Sequence, residues 1–493
     1  MPVGYPAPRR PGYLLAAGRD EATLRRAAER AMVRTSGRGA LGLVKPGDVV
    51  LLVVPPYQDI GVLEAIIWAL ARRRIRADAV NETEIGVTSQ AAPSPDSPLD
   101  GWKEVMWRDE FTALLDPDLQ AQDYRLKEYW ASLVPYLDAH PKYTMVYAGS
   151  AGRPQIASAL ATHTSKFVSN WTYATLHDLV GLAGTFPSDV LALVEAKVVE
   201  AIPRFDQVRI TDPQGTDLFF EVTEDQSRIW QRGAFLSGHL FMYPLNPGSI
   251  SVDLGRTTAE QEELAFPAAS GVIAGTANHL GFYPHMIAHV EDGVIHRLEG
   301  GGRFGVLLRE IMQRTKHLRV PRHPRPGLFY VNELGLGTNP KEARSFLHLF
   351  DNAPSLPNHD ETKRSGVLHW GIGIDSRHPE VVSFAKEHKI PDHHMWHFHN
   401  YLTTYRARVR GSGEWVTLLD RGRITALDLP EVRHLAEKHG DPDEILREDW
   451  IPAIPGINYV GDYQRDFGSD PARWVRTEID NAMPATVGVP GAS

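Results

Sequence analysis

The chain of 493 residues has no cysteine. Disulfides, thiolate zinc sites, iron–sulfur clusters and cysteine nucleophiles are excluded. Any metal must be held by histidine, carboxylate, carbonyl or water. A basic surplus is also lacking: 52 Lys and Arg face 61 Asp and Glu, for a net charge of −9. With no positive excess to neutralise phosphates, neither nucleic acid nor an anionic membrane is the expected partner. Long apolar runs are missing. The run Val49 to Val54 suits a buried strand and cannot span a bilayer. The opening MPVGYPAPRRPGY has no apolar core and reads as a loose arm, not a signal peptide, so a cytoplasmic protein is expected. Internal repeats and low-complexity tracts are absent.

What is present suits a globular protein, with 42% hydrophobic and 23% charged residues. The length exceeds one ordinary core and predicts two or more domains. The first region reads as α/β with a parallel sheet. The run Val49–Val54 predicts a strand covered on both faces. Leu63, Ile66, Ile67, Leu70 and Ala71 follow at helical spacing within 59–74. Another helix over 123–139 precedes a strand over 144–147 that opens into Ala148-Gly149-Ser150-Ala151-Gly152. Ser188 suits the N-cap of a helix carrying Val190, Leu191, Val194 and Val198. Near residue 205 the texture shifts to short β segments and tight turns. His289 to Val294 predicts a hairpin turning at Asp292-Gly293, and Arg406 to Leu419 another turning at Gly411-Ser412-Gly413. The expected organisation is an α/β domain over 1–203, an α+β metal-binding domain over 204–436, and a C-terminal extension over 437–493 packing on the second domain.

Four of the 21 histidines fall in PDHHMWHFHN: His393, His394, His397 and His399, with His388 just upstream. The residues from Asn400 to Val409 are β-branched and aromatic, which predicts a strand. Residues two apart on a strand share a face, so His397 and His399 present two imidazoles side by side. His393 and His394 fall in a loop. A lone histidine pair also fits ordinary packing, so further ligands are needed. Glu333 stands at the end of an apolar strand before a glycine-rich turn, in Val331-Asn332-Glu333-Leu334-Gly335-Leu336-Gly337. His369 lies inside Gly366-Val367-Leu368-His369-Trp370-Gly371-Ile372-Gly373. Each has a bland alternative, a surface carboxylate and a satisfied core histidine. Trp370 and Trp396 flank these residues as candidate pocket walls. Tyr401 and Tyr405 share the face of His399 if the strand runs on, where they could meet a ring. His279 and His285 are weaker candidates. Gly300-Gly301-Gly302 lacks the spacing of a dinucleotide site.

The order of GTDL near Thr216, ELGLGTNP from Glu333, HWGIG from His369 and His397-Phe398-His399 resembles the aminopeptidase T family of dinuclear metallopeptidases over roughly residues 40–420. The resemblance implies an α/β N-terminal domain, an α+β metal-binding domain and a homodimer. It also implies metal ligands at Glu333, His369 and His397. Two positions depart from the family. An aspartate is implied where His399 stands. The first glutamate of the family falls on Leu245 to Val252, which holds no carboxylate; Asp253 is nearest and out of register. Two cations need several anionic ligands to offset their repulsion, and this chain has lost two. A second branch, the 2,5-dihydroxypyridine dioxygenases, resembles the chain in ligand type, though it has no histidine at the place of His369.

Glu333, His397 and His399 form a set of two histidines and one carboxylate, the ligand type of non-heme Fe(II) oxygenases. His369 is then a fourth ligand or a base for a substrate hydroxyl, and Tyr401 a contact to the ring. The expected activity is a mononuclear Fe(II) dioxygenase opening a small hydroxylated aromatic or N-heteroaromatic ring. The alternative is an aminopeptidase or amide hydrolase using water activated by Zn, Co or Mn, with Asp253 or Glu299 supplying the missing carboxylate.

Overall fold

A computed structural model describes residues 4–10, 20–33, 41–55, 58–86, 133–148, 167–171, 173–174, 179–180, 186–224, 235–236, 239–242, 268–278, 282–321, 323–343, 361–374, 379–388 and 396–482. Two sheets organise them. The smaller is wholly parallel, with strands β1 (Val49–Val54), β2 (Arg76–Asn81), β3 (Met145–Ala148) and β4 (Phe167–Asn170) in the order β2-β1-β3-β4. The VVLLVV run of β1 is apolar throughout because both of its faces are covered. Val50, Leu52 and Val54 pack with the helices Glu21–Ala31 and Ile60–Arg72. Leu51 and Val53 pack on the other face, with Leu133 and Leu137 from the helical residues 133–139. The Asp59 carboxylate caps the second of these helices by accepting from Val62 N at 3.1 Å. At Ser188–Ala201 the sequence expectation shifts by one residue. Pro187 takes the cap position without a side-chain bond, and Ser188 is already helical. This helix buries Val190, Leu191, Val194 and Val198 in the core of the large sheet.

The larger sheet is antiparallel, with 13 strands among the described residues. In chain order they are β5 (Phe205–Thr211), β6 (Asp217–Glu221), β7 (Phe235–Leu236), β8 (His239–Met242), β9 (Ser270–Ala277), β10 (Phe282–Glu291), β11 (Val294–Gly300), β12 (Tyr330–Gly337), β13 (Leu368–Gly373), β14 (Trp396–Asn400), β15 (Thr404–Val409), β16 (Trp415–Asp420) and β17 (Arg423–Ile424). The path runs β14-β13-β12-β11-β10-β9-β6-β5-β15-β16-β17, with β8 pairing the second half of β12. Both expected hairpins form. The β10–β11 turn holds Asp292 and Gly293 at positive φ, which matches the strand twist of a tight hairpin. The sheet coils until β14 meets β9, where Asn400 Nδ2 donates to the Ala274 carbonyl at 2.8 Å. No helix among the described residues is long and apolar enough to cross a membrane.

The expected strand from Asn400 to Val409 is broken. The chain leaves β14 at Asn400, turns through 401–403 and re-enters the sheet as β15 beside β5. The turn is pinned by Asp212, whose carboxylate accepts from Leu402 N at 3.3 Å, Thr403 Oγ1 at 3.1 Å and Gln214 N at 2.9 Å. The β5–β6 turn that leads into GTDL therefore carries, in Asp212, an anchor for the far strand. The N-terminal arm is fixed as well: Arg9 and Ile451 exchange two backbone hydrogen bonds at 2.9 Å. Trp450, Ile451, Ile454, Ile457 and Phe467 of the C-terminal region pack with Ala277, Val367, Tyr401 and Leu402.

Asp212 predicts a pH effect on stability. Burial pushes its carboxyl up to about 6 from the ordinary 3.8. The folded state therefore holds a proton that the unfolded chain has released, and this stabilisation is lost as pH rises between those values. Replacing Asp212 with Asn removes the titration. The stability of Asp212→Asn relative to the parent should rise by on the order of 2 kcal/mol from pH 4 to pH 7, at about 1.36 kcal/mol per unit. Changed hydrogen bonding offsets the variant's curve by a constant. Urea unfolding across that range checks the slope; parallel curves would contradict it.

Candidate metal centre

Three adjacent strands write the same pattern. On β13, Leu368, Trp370 and Ile372 face the hydrophobic core, and His369, Gly371 and Gly373 face the other way. On β14, Trp396 and Phe398 face the core and His397 and His399 oppose them. On β12 the register shifts between Val331 and Glu333, leaving Asn332 as an extra residue. Such a bulge re-aims the residues beyond it. From there Leu334 and Leu336 enter the core, while Glu333, Gly335 and Gly337 alternate with them.

Register then brings the candidate ligands together. Glu333 lies opposite Gly371, and Gly371 opposite His397. Gly335 lies opposite His369, and His369 opposite His399. With no side chain on Gly371 or Gly335, the surrounding groups converge over the backbone. One nitrogen of His369, one of His397 and one oxygen of Glu333 all lie within 4.8 Å of one another, forming a buried cluster that can hold a metal ion. Glu333 Oε1 is 3.5 Å from His369 Nε2. The His369 and His397 rings stack at 4.6 Å between centroids, 27° apart. Exposure is 6% for Glu333, 4% for His369 and 8% for His397. Two ligand atoms at normal bond length around one cation stand about 3.0–3.4 Å apart, so small side-chain adjustments would close the set on an ion. One carboxylate and two neutral imidazoles form a standard donor set for a divalent cation.

Two further expected residues, His399 and Tyr401, lie beside the cluster and make contacts of their own. His399 is fully buried, and both of its nitrogens have partners. Nε2 is 2.9 Å from His369 Nδ1, and Nδ1 is 3.0 Å from Glu361 Oε1. Of the four expected ligands the three-residue cluster groups Glu333, His369 and His397, and His399 adjoins it through His369. Tyr401, expected against a substrate ring, is 2% exposed and directs its hydroxyl at Glu361 Oε1.

Glu361 is the residue that sequence reading misses. It opens the short helical turn Glu361–Lys363 and is fully buried. This turn is stitched to the segment after β12. Asn339 N donates to the Lys363 carbonyl and Ser365 N to the Asn339 carbonyl, each at 2.9 Å. Gly337 permits this approach, since a Cβ there would overlap the Arg364 carbonyl and lie 2.6 Å from that of Thr362. Arg364, 1% exposed, donates to the carbonyls of Trp450 at 2.9 Å and Tyr401 at 3.4 Å. Thr338 Oγ1 donates to the buried Glu195 carboxylate at 2.8 Å, which ties the same segment to the helix Ser188–Ala201.

The remaining candidates fall elsewhere. Trp370 and Trp396 lie in the core by strand alternation and do not wall the cluster. Trp370 Nε1 donates to Asn400 Oδ1 at 2.8 Å. Tyr405 is also in the core, because the strand that would have placed it beside His399 is interrupted. His285 Nε2 lies 2.7 Å from the Gln214 carbonyl and its ring meets Tyr463 edge-on. His388 stacks on Phe384. Glu299 is exposed and pairs with His289 and Arg297. His279, Asp253, His393 and His394 lie outside the described residues.

No protein-family model matches the chain, and no curated protein matches it. Solved structures similar to it include 2,5-dihydroxypyridine dioxygenase from Pseudomonas putida, at 14% identity and a TM-score of 0.45, covering 82% of this chain and 97% of that one. Wild-type AmpT from Thermus thermophilus is similar at 15% identity and a TM-score of 0.37, covering 82% of this chain and 99% of that one. Neither assigns a family or a reaction to this chain.

Proposed function

We propose that the chain is a mononuclear non-heme Fe(II) dioxygenase that opens a small hydroxylated aromatic or N-heteroaromatic ring, with Glu333, His369 and His397 as the metal ligands. The observation that carries this reading is the convergence of one carboxylate and two imidazoles from three adjacent strands within 4.8 Å. Two histidines and one carboxylate with open positions is the ligand type of non-heme iron oxygenases. Bound there, iron supplies Lewis acidity toward a ring hydroxyl and one-electron chemistry with O₂. The chain's own contribution is electrostatic and steric. Glu333 brings the single negative charge of the set, and the neutral imidazoles add donors without further charge. Burial of all three limits competing water and strengthens charge interactions inside the site.

A second reading, a metal-dependent aminopeptidase or amide hydrolase, is favoured by one observation: His369 stands in the cluster. The resemblance to the aminopeptidases implies a ligand histidine there, whereas the resemblance to the dioxygenases does not. Zn, Co or Mn would be the ion in that case. Purification without oxygen, metal analysis and two assays separate the readings. One iron per chain with substrate-dependent O₂ uptake is the expected result. Two zinc or cobalt ions per chain, with amine released from aminoacyl substrates, would overturn it in favour of the hydrolase.

A further inference from the structure

His369 is backed by a sealed line of side chains running away from the cluster. His369 Nδ1 is 2.9 Å from His399 Nε2, and His399 Nδ1 is 3.0 Å from Glu361 Oε1. The Tyr401 hydroxyl meets that same oxygen. Exposure is 0% for His399 and Glu361 and 2% for Tyr401, so protein atoms set the geometry throughout.

The chemistry of the donors gives this line a direction. An ionised carboxylate only accepts. With Glu361 ionised, Tyr401 O–H and His399 Nδ1–H both donate to it. A neutral His399 with its proton on Nδ1 has a lone pair on Nε2, and accepts there from His369 Nδ1–H. His369 is then left with its lone pair on Nε2, the nitrogen 3.5 Å from Glu333 Oε1. That is the tautomer a metal ligand needs. We propose that Glu361, acting through His399, is a positioning group that sets the tautomer and ring orientation of His369 in the metal centre. The inference rests on the reading of Glu333, His369 and His397 as metal ligands. It also gives His399 a task other than direct ligation. Both of its nitrogens are engaged, and reaching an ion would cost it either the bond to Glu361 or the bond to His369.

The backbone supports this role. The Glu361 turn is held by Asn339 on one side, and Arg364 secures it to Trp450 and Tyr401 on the other. An outer partner must be fixed to fix its ligand, and loss of such a partner costs about 10–100-fold in metal affinity.

Cobalt(II) added to the full-length apoprotein tests the proposal, with affinity read by chelator competition and the site by its visible d–d spectrum. His399→Leu removes the acceptor and should weaken cobalt binding about 10–100-fold with a shifted spectrum. His399→Gln places an amide oxygen near the position of Nε2, can still accept from His369, and should recover most of the affinity. Glu361→Gln should weaken binding about tenfold while the protein still takes up one cobalt. A purely structural role would lower the melting temperature of the apoprotein and leave affinity and spectrum unchanged, which would overturn the proposal. Equal loss in His399→Leu and His399→Gln would also overturn it, because that marks His399 as a direct ligand. If the parent protein bound no cobalt, the metal reading itself would fall, a result distinct from these variant effects. Should Glu361→Gln fail to fold, the His399 pair still decides the matter.

Discussion

Replacing Glu333 with Ala is expected to yield a folded protein that retains essentially no metal, against one equivalent in the parent. Glu333 is the only anionic member of the cluster. Its removal leaves two neutral imidazoles to face a dication in a buried site, where an uncompensated charge is costly. The loss should exceed the roughly 10–100-fold that removal of an outer partner causes, so occupancy falls to background rather than declining modestly. Glu333→Gln separates charge from shape. It preserves the volume and one weak oxygen donor, and should bind metal far more weakly than the parent. Folding should survive both changes. The core side of β12 is formed by Leu334 and Leu336, which are untouched, and the apoprotein no longer buries a carboxylate beside His369. Metal analysis after gel filtration, with circular dichroism as the folding control, gives the answer. Parent-level occupancy in Glu333→Ala would remove this residue from the ligand set.

Gly366→Ala is expected to destabilise the protein by more than about 3 kcal/mol, without touching a ligand. Gly366 sits at φ +81°, and a Cβ there would overlap the carbonyl of Gly422. Gly422 is itself at φ +87°, and its own Cβ would overlap the Tyr401 carbonyl. Three backbone segments thus lie in direct contact: the approach to β13, the β16–β17 turn and the exit from β14. A strained non-glycine conformation costs about 1–3 kcal/mol, and the overlap adds displacement of backbone on both sides. Gly411→Ala provides the comparison. Gly411 has a similar φ of +77° but nothing within 4 Å of its would-be Cβ, so it should cost only about 1–2 kcal/mol. Urea unfolding of both variants tests the difference. Equal losses would mean that the close approach at Gly366 has no energetic weight.

The sequence is informative about this protein where a pattern is local. The apolar run of β1 implied cover on both faces, and both faces are covered. The Asp292-Gly293 and Gly411-Ser412-Gly413 turns join paired strands. Glu333 and His369 stand out in sequence within glycine-punctuated apolar strands, and His397 and His399 by their two-residue spacing; three of these four meet in the cluster. The misses arise where the third dimension decides. Strand composition continues through Tyr401 and Leu402, but a buried aspartate nearly two hundred residues earlier in the chain breaks the strand there. Trp370 and Trp396 looked like pocket walls by proximity in sequence, although alternation sends them to the opposite face. Glu361 carries no signal at all. It lies in a turn with no periodicity, and only the docking of that turn against the Asn339 segment places its carboxylate behind His399.

Gly371, the residue between Glu333 and His397 in the sheet, also bears on how the strands choose their alignment. A slip of one residue between β13 and β14 would send His397 and His399 into the core and bring Trp396 and Phe398 over the cluster. Only one alignment lets an ion touch all three strands. Whatever free energy the ion gains from its ligands therefore opposes slippage, in the way any ligand favours the state that binds it. β14 ends the hydrogen-bonded strand path, where amide protons exchange most easily if the strand frays. An ion bound at His397 would act as a clasp on that edge and slow the exchange of its amides with solvent.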